Sequence, residues 1–424
     1  MNIVGLKEHI KNGKFNEHFK LLYQNVDDAI ARYLNACDEY VKYFDAQNNI
    51  RVFSAPGRTE VGGNHTDHQH GRVLAGSVDL DIIGIVSLNN SGKIRVKSEG
   101  FPMDEVAIDQ LNIDESEYGH ASALIRGMCA AFTEKGYNIG GFDAYTTSNV
   151  IKGSGLSSSA AFEVFLGTAL NCLFNDGKID AVEIAKMSQK SESVYFGKPC
   201  GLLDQSASAL GGFTAIDFKD TTKPVVEKVD FDLAAHNHVL CVVNTGGNHA
   251  NLTQDYADIT VECRKVSNFF GKEYLRDVCE NDFFANIAKI KEQCGDRAVL
   301  RAIHFFAEDK RANDEKLSLK NGDFDEFLRL INESGNSSYK YLQNTYSTSA
   351  VNEQGICLAL AVTERFLNGR GACRVHGGGF AGTIQCFIPC DMIDGYKTVI
   401  EGVFGENSCF ILKIRPVGGY ELTF

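Results

Sequence analysis

Residues 55–71, APGRTEVGGNHTDHQHG, place three histidines and an aspartate within six positions, beside an arginine and four glycines. His65, Asp67, His68 and His70 could close on a metal ion, or could line a loop that hydrogen-bonds a polar small molecule. The residue types alone leave both readings open. Further on, Gly153, Ser154, Gly155, Leu156, Ser157, Ser158 and Ser159 run straight into an apolar-periodic segment. A helix start has unpaired N–H groups and a partial positive charge, glycine lets backbone close on an anion, and serine hydroxyls can cap the helix or ligate Mg²⁺. This is not a Walker A loop, because Lys152 precedes the glycines instead of following them. A capped helix after a flexible turn would use the same residues. Asp204 is a lone carboxylate among small and apolar neighbours in GKPCGLLDQSASALGG (197–212), either a buried structural acid or a base held by a cation. HGGGFAG (376–382) is a third glycine cluster, suited to a tight turn or close packing.

These residues need elements to hold them. Phe162, Phe165, Leu166, Ala169, Leu170 and Leu173 share one helical stripe, which predicts an amphipathic helix beginning at the serine-rich loop. GFDAYTTSNV, just before the loop, has strand composition, and a helix predicted over residues 121–135 stops at Gly136. IIGIVSL (82–88) reads as a strand, and Val26, Ile30, Tyr33, Leu34 and Cys37 form an early helical face. Six prolines, dispersed glycines and no repeat predict compact domains without a long linker.

With 424 residues, 44% of them apolar, the chain can bury a core large enough for two domains. A net charge of −13, with no basic block, argues against a broad electrostatic grip on nucleic acid or anionic membrane, so any phosphate must be held locally. No apolar run reaches signal-peptide or membrane-spanning length, and a cytoplasmic location is expected. The 13 cysteines form no C-x-x-C pair and read as reduced core thiols.

Four segments together resemble the GHMP kinase superfamily and, within it, the galactokinase family. Residues 57–68 resemble the signature G-R-x-N-x-I-G-E-H-x-D-Y, GSGLSSSAA the phosphate loop, PCGLLDQ the motif P-C-G-I-M-D-Q, and HGGGFAG the motif T-G-G-G-F-G-G, all in family order. The resemblance implies a two-domain α/β fold. Residues 1–215 would form a domain like ribosomal protein S5 domain 2, residues 216–424 a ferredoxin-like domain, and the site would lie between them. It implies an ATP-dependent kinase that phosphorylates the anomeric hydroxyl of galactose, with Asp204 as proton acceptor and Arg58 steadying the nucleophilic oxygen. Asn64, His65, Asp67, Gly201 and Tyr256 would contact the sugar, the loop 153–159 the triphosphate, and Ser159 with Glu192 the Mg²⁺. The metal reading of the histidines recedes accordingly, and His68 and His70 receive no role. Galactose and ATP are the implied partners, with a monomer favoured. Departures fall mainly on the sugar side: Thr59-Glu60 stands for x-N, Gly63-Asn64 for G-E and His68 for tyrosine, and Ile151-Lys152 lacks a proline. A 1-kinase for N-acetylgalactosamine or a uronic acid is therefore an alternative. A silent sugar sensor is another, though it predicts a damaged loop or base.

Overall fold

The computed structural model describes residues 1–45, 49–150, 155–247 and 252–423. The larger of two sheets runs through β1 (Arg51–Gly62), β2 (Arg72–Leu88), β3 (Lys93–Ser98), β4 (Met103–Ala107), β5 (Phe142–Ser148), β6 (Phe213–Asp217) and β7 (Val225–Val229). The second holds β8 (His238–Asn244), β9 (Ala372–His376), β10 (Thr383–Pro389) and β11 (Cys409–Leu412), after which β12 (Tyr420–Leu422) returns to the first. The large sheet has the order β12-β1-β2-β5-β3-β4, with β6 on β2 and β7 on β6. β2 is long because it serves two neighbours along one edge. Its residues 82–88, the predicted strand, pair with β5, while residues 72–76 pair with β6.

Both faces of this sheet are covered, which accounts for the unbroken apolar run in β2. Ile83 and Ile85 pack under the N-terminal helices, including Val26–Tyr43, whereas Ile82 and Val86 face the cluster built on helices Ala121–Glu134 and Ser158–Phe174. The Ala121–Glu134 helix ends as expected, with Gly136 at φ +77°. The Ser158–Phe174 helix departs from expectation. It is buried all round over residues 160–171, including Glu163, because β1, β2 and two later helices enclose it. Glycine makes the room: a Cβ on Gly84 would stand 2.2 Å from the Phe165 ring.

The second sheet has order β11-β8-β10-β9 and chain order β-α-β-β-α-β, which is ferredoxin-like. The sequence boundary at 215/216 needs correction, since it cuts β6, whose ladder to β2 and β7 spans residues 213–217. β7 and β12 also belong to the first sheet, so the sheets, not the halves of the chain, define the units. Buried Asp81 ties the layers together, accepting from Arg32 (2.5 Å), Tyr23 (2.6 Å) and Arg415 (3.0 Å). Among the described residues no helix is long and apolar enough to cross a membrane. All thirteen cysteines are free thiols.

Candidate active site

β1 delivers Arg58, and the first turn of the Leu203–Leu210 helix delivers Asp204. The two meet as an ion pair, with Arg58 Nε 2.7 Å and Nη2 2.6 Å from Asp204 Oδ1. Ser157 Oγ donates to the other carboxylate oxygen at 2.7 Å, and Arg58 Nη1 donates to the Gly155 carbonyl. Gly155 and Ser157 both have positive φ, +73° and +55°, and Ser157 precedes the helix that begins at Ser158 without capping it through its side chain. A serine in the left-handed region is strained backbone, and here the strain turns the loop so that its hydroxyl reaches Asp204. Leu156 is fully buried beneath, and its carbonyl accepts from the Arg58 N–H. Gly153 and Ser154 lie outside the described residues.

In the first turn of the helix, Ser159 Oγ donates to Glu192 Oε1 at 2.9 Å. Glu192 is 1% exposed and also accepts from Lys198 Nζ (2.9 Å) and from Gln205 Nε2 (2.7 Å, on Oε2). Two oxygens ligating one Mg²⁺ side by side at about 2.1 Å would stand about 3 Å apart, so the Ser159 and Glu192 oxygens fit adjacent positions on that ion. Behind them Glu163 shares the Gln205 amide at 3.1 Å, while its Oε1 has no hydrogen-bond partner among the described residues. Burial first, and then the neighbouring Glu192 charge, push the Glu163 carboxyl well above its usual range. Glu163, Gln205 and Lys198 were not singled out by sequence. Lys198 and Gln205 lie inside the quoted segment GKPCGLLDQSASALGG and Glu163 two residues after GSGLSSSAA, and that placement was the available signal.

The histidine cluster does not converge. His70, at φ +60°, stacks on Tyr274 with ring centroids 3.6 Å apart, and His65 points its Nε2 at the Gly378 carbonyl, 2.9 Å away. Among the described residues no group of three or more His, Cys, Asp or Glu is placed to hold a metal. Burial, followed by the His68 charge, lowers the His65 pKa to about 4. A neutral His65 that donates through Nε2 keeps Nδ1 as an acceptor. Burial opposes ionisation of Asp67, but the hydrogen bond and charge of His68 outweigh it and hold the carboxyl down to about 2. Asp67 and Gly201 share the wall of a cavity of about 330 Å³, and a Cβ on Gly201 would lie 3.7 Å from Asp67 Oδ2. Tyr256 donates its hydroxyl to the Gly379 carbonyl at 2.9 Å, with its ring against Gly378, so it braces the third glycine motif.

Asn64 is corrected. It is fully buried, donates to Glu60 Oε1 (2.8 Å) and the Gly377 carbonyl (2.7 Å), and accepts from Asn344 (2.8 Å) and Ser338 (3.3 Å). With both amide hydrogens and both lone pairs engaged, it has nothing to offer a sugar. His376 opens the third motif and sits under the site. Its Nε2 accepts from the Glu60 N–H at 3.4 Å, its Nδ1 lies 2.8 Å from Thr383 Oγ1, and burial lowers its pKa to about 3.

Beside the helix start lies a second cavity, of about 770 Å³, walled by Phe101, Phe162 and Phe196 and edged by Glu99, Ser158 and Ser159. Three phenylalanines next to a loop suited to phosphate make a slot for a planar base. No motif announced it, because its walls come from six separate segments.

The family pattern described as GHMP kinases N terminal domain matches residues 123–212, and the galactokinase galactose-binding signature matches residues 38–88. A galactokinase of Streptomyces coelicolor is 30% identical over 353 residues, 83% of this chain and 88% of that protein. The chain belongs to the galactokinase family of GHMP kinases. A galactokinase of Clostridium tetani is 28% identical over 395 residues, covering 91% of this chain and 96% of the relative. In fold, Lactococcus lactis galactokinase complexed with galactose superposes with a TM-score of 0.74 at 22% identity, covering 90% of this chain and 98% of that one. The Methanococcus jannaschii mevalonate kinase gives 0.60 at 15% identity, covering 87% and 99%. The mixed α/β fold is thus that of the GHMP kinases.

Proposed function

We propose that this chain transfers the γ-phosphoryl group of ATP to the anomeric hydroxyl of galactose, giving galactose 1-phosphate and ADP. The observation that carries the reading is the Arg58–Asp204 pair held against Ser157, at the start of the Ser158–Phe174 helix. Family membership and the galactokinase relatives support the substrate.

Phosphoryl transfer passes through a loose transition state, so positioning and charge neutralisation matter more than a strong base. Asp204 Oδ1 and Oδ2 are acceptors for the proton of the attacking hydroxyl, which leaves as the new P–O bond forms. Arg58 fixes the Asp204 carboxylate and keeps a cation beside the nucleophilic oxygen. Backbone N–H groups of Gly155–Ser159 cradle the phosphates, with Gly153 and Ser154 expected to extend that cradle. Ser159 and Glu192 would hold Mg²⁺, which supplies charge neutralisation on the phosphates when bound. The phenylalanine slot takes the adenine. His65 Nδ1, Asp67, the Gly201 backbone and the Tyr256 ring border the sugar. The site lies between a unit built on the large sheet and one built on the ferredoxin-like sheet, and we take the working enzyme to be a cytoplasmic monomer.

Incubation with ATP, Mg²⁺ and a panel of free sugars, followed by phosphorus NMR of the products, tests the reading. Galactose phosphorylated at its anomeric oxygen is expected. A panel in which galactose is untouched refutes it.

A further inference from the structure

Arg58 and Glu60 stand two residues apart on β1 with no bulge between them, since the register to β2 runs Arg58↔Ser77, Thr59↔Gly76 and Glu60↔Ala75. Side chains alternate along a strand, so both issue from one face, while Thr59 between them is buried on the other. In the signature quoted above, position 60 is asparagine and position 64 glutamate. Here the two types are exchanged, and the exchanged side chains touch: Asn64 Nδ2 donates to Glu60 Oε1 at 2.8 Å. The chain therefore keeps one amide and one carboxylate but moves the charge from residue 64 to residue 60.

The relocated carboxylate is well anchored. Arg374, 0% exposed, donates to Glu60 Oε1 at 3.2 Å from beneath. The Glu60 side chain is 18% exposed, and its Oε2 accepts from no described residue. Burial raises the pKa of the Glu60 carboxyl above its usual range, while the charge of Arg374 and the Asn64 hydrogen bond pull it back, with Asp67 and Arg58 close enough to act in opposite senses. A carboxylate oxygen that is anchored and unfilled among the described residues, on the strand face that presents Arg58 and close to Asp67, is a ready acceptor for a hydroxyl. Two strand residues place Glu60 about 6.6–6.8 Å beyond Arg58 along β1, so the hydroxyl it meets is not the one that reacts.

We propose that Glu60 Oε2 accepts a hydrogen bond from a sugar hydroxyl remote from the reacting carbon, and that Glu60 and Asp67 together turn anionic sugars away. This rests on the reading of the cleft as a sugar site, with galactose as its occupant. Asn64 holds Glu60 in place without touching sugar. The pair thus confines the enzyme to neutral hexoses, because a uronic acid would bring a further carboxylate beside Glu60 and Asp67.

Isothermal titration calorimetry of the full chain tests this with galactose, its 2-, 3-, 4- and 6-deoxy analogues and galacturonate. The proteins compared are the parent, Glu60→Gln and the paired exchange Glu60→Asn/Asn64→Glu. Glu60→Gln is expected to weaken galactose about 5–10-fold, the difference between a charged and a neutral acceptor. One deoxy analogue, the one lacking the hydroxyl in question, should bind parent and Glu60→Gln equally well. Galacturonate should gain affinity in Glu60→Gln relative to the parent. If every deoxy analogue loses the same factor in both proteins, Glu60 contacts no hydroxyl and the proposal falls. Should Glu60→Gln fail to fold beside Arg374, the paired exchange retains one carboxylate and decides the matter. In that protein residue 60 carries no carboxylate, so loss or relocation of one hydroxyl's sensitivity supports the proposal, and the parent's unchanged pattern of deoxy losses overturns it. A parent that binds a different neutral hexose and not galactose refutes the substrate reading alone, and the same comparison on that hexose's deoxy analogues still decides Glu60.

Discussion

Replacing Asp204 with asparagine removes the proton acceptor and little else. Asp204 Oδ1 receives Arg58 at 2.7 and 2.6 Å, and Oδ2 receives Ser157 Oγ at 2.7 Å. An amide can turn its oxygen to Arg58 and its NH₂ to Ser157, whose hydroxyl then accepts instead of donating. Arg58 also keeps the Gly155 carbonyl. The side chains of the pair are 14% and 29% exposed, so the loss of stability should be nearer the ~1 kcal/mol of accessible ion pairs than the 3–5 of fully buried ones. A loss of that size leaves the folded fraction close to one. Removing a general base, by contrast, lowers the rate about 10²–10⁴-fold, or about 2.7–5.4 kcal/mol of barrier. A coupled initial-rate assay should therefore show kcat reduced at least a hundredfold, while calorimetry shows galactose affinity within about threefold of the parent. Ser157→Ala, which removes one hydrogen bond of about 1 kcal/mol, should reduce kcat less than about tenfold. Turnover of Asp204→Asn within tenfold of the parent would refute Asp204 as the proton acceptor.

Glu192→Gln should raise the Mg²⁺ concentration at half-maximal activity and weaken Mg²⁺-dependent nucleotide binding in calorimetry; unchanged values would remove Glu192 from the metal site. His65 and His376 have folded pKa values lowered to about 4 and about 3, so unfolding takes up protons as the pH falls through the unfolded value near 6.5. Stability is then intact above pH ~7 and declines below it, by up to about 1.4 kcal/mol per pH unit for each histidine, until the folded values are reached. Urea midpoints between pH 7 and 5 should fall in the parent and fall less in His376→Gln, and parallel declines would count against His376. Gly62→Ala should destabilise by about 1–3 kcal/mol, since the new Cβ would overlap the carboxyl of the fully buried Glu315, and an unchanged urea midpoint would show that Glu315 has room to move.

Glycine-rich loops and strand runs were legible because they record local requirements: a positive φ at Gly136, a turn at Gly155, a close approach at Gly84. The catalytic pair was legible through its motifs, although Arg58 and Asp204 are 146 residues apart. Asn64 was not. A polar side chain in a signature can face the substrate or the interior, and Asn344, 280 residues further on, decides between them. Nor does local sequence reveal that Arg374 makes Glu60 the outward-facing member of the pair, or that Phe101 meets Phe162 across a cavity. The apolar stripe on the Ser158–Phe174 helix was real but incomplete, since enclosure by later helices buried its other faces too. The misplaced boundary has the same origin, because β6 pairs with β2, a strand from far earlier in the chain.

β12 pairs with β1 in the register Val52↔Leu422, Phe53↔Glu421 and Ser54↔Tyr420, and Arg51 bridges to Glu421 at 2.5 Å. The strand that presents Arg58 and Glu60 therefore acquires its outer neighbour from residues made hundreds of peptide bonds later. At about 5–20 residues per second, the ribosome needs roughly 20–70 s to travel from one to the other. Throughout that interval β1 offers a bare, hydrogen-bond-hungry edge to any other strand in reach. Birth of this enzyme is thus a waiting problem, and loss of β12 would leave the margin of the strand that presents Arg58 unfinished, injuring catalysis from some distance away.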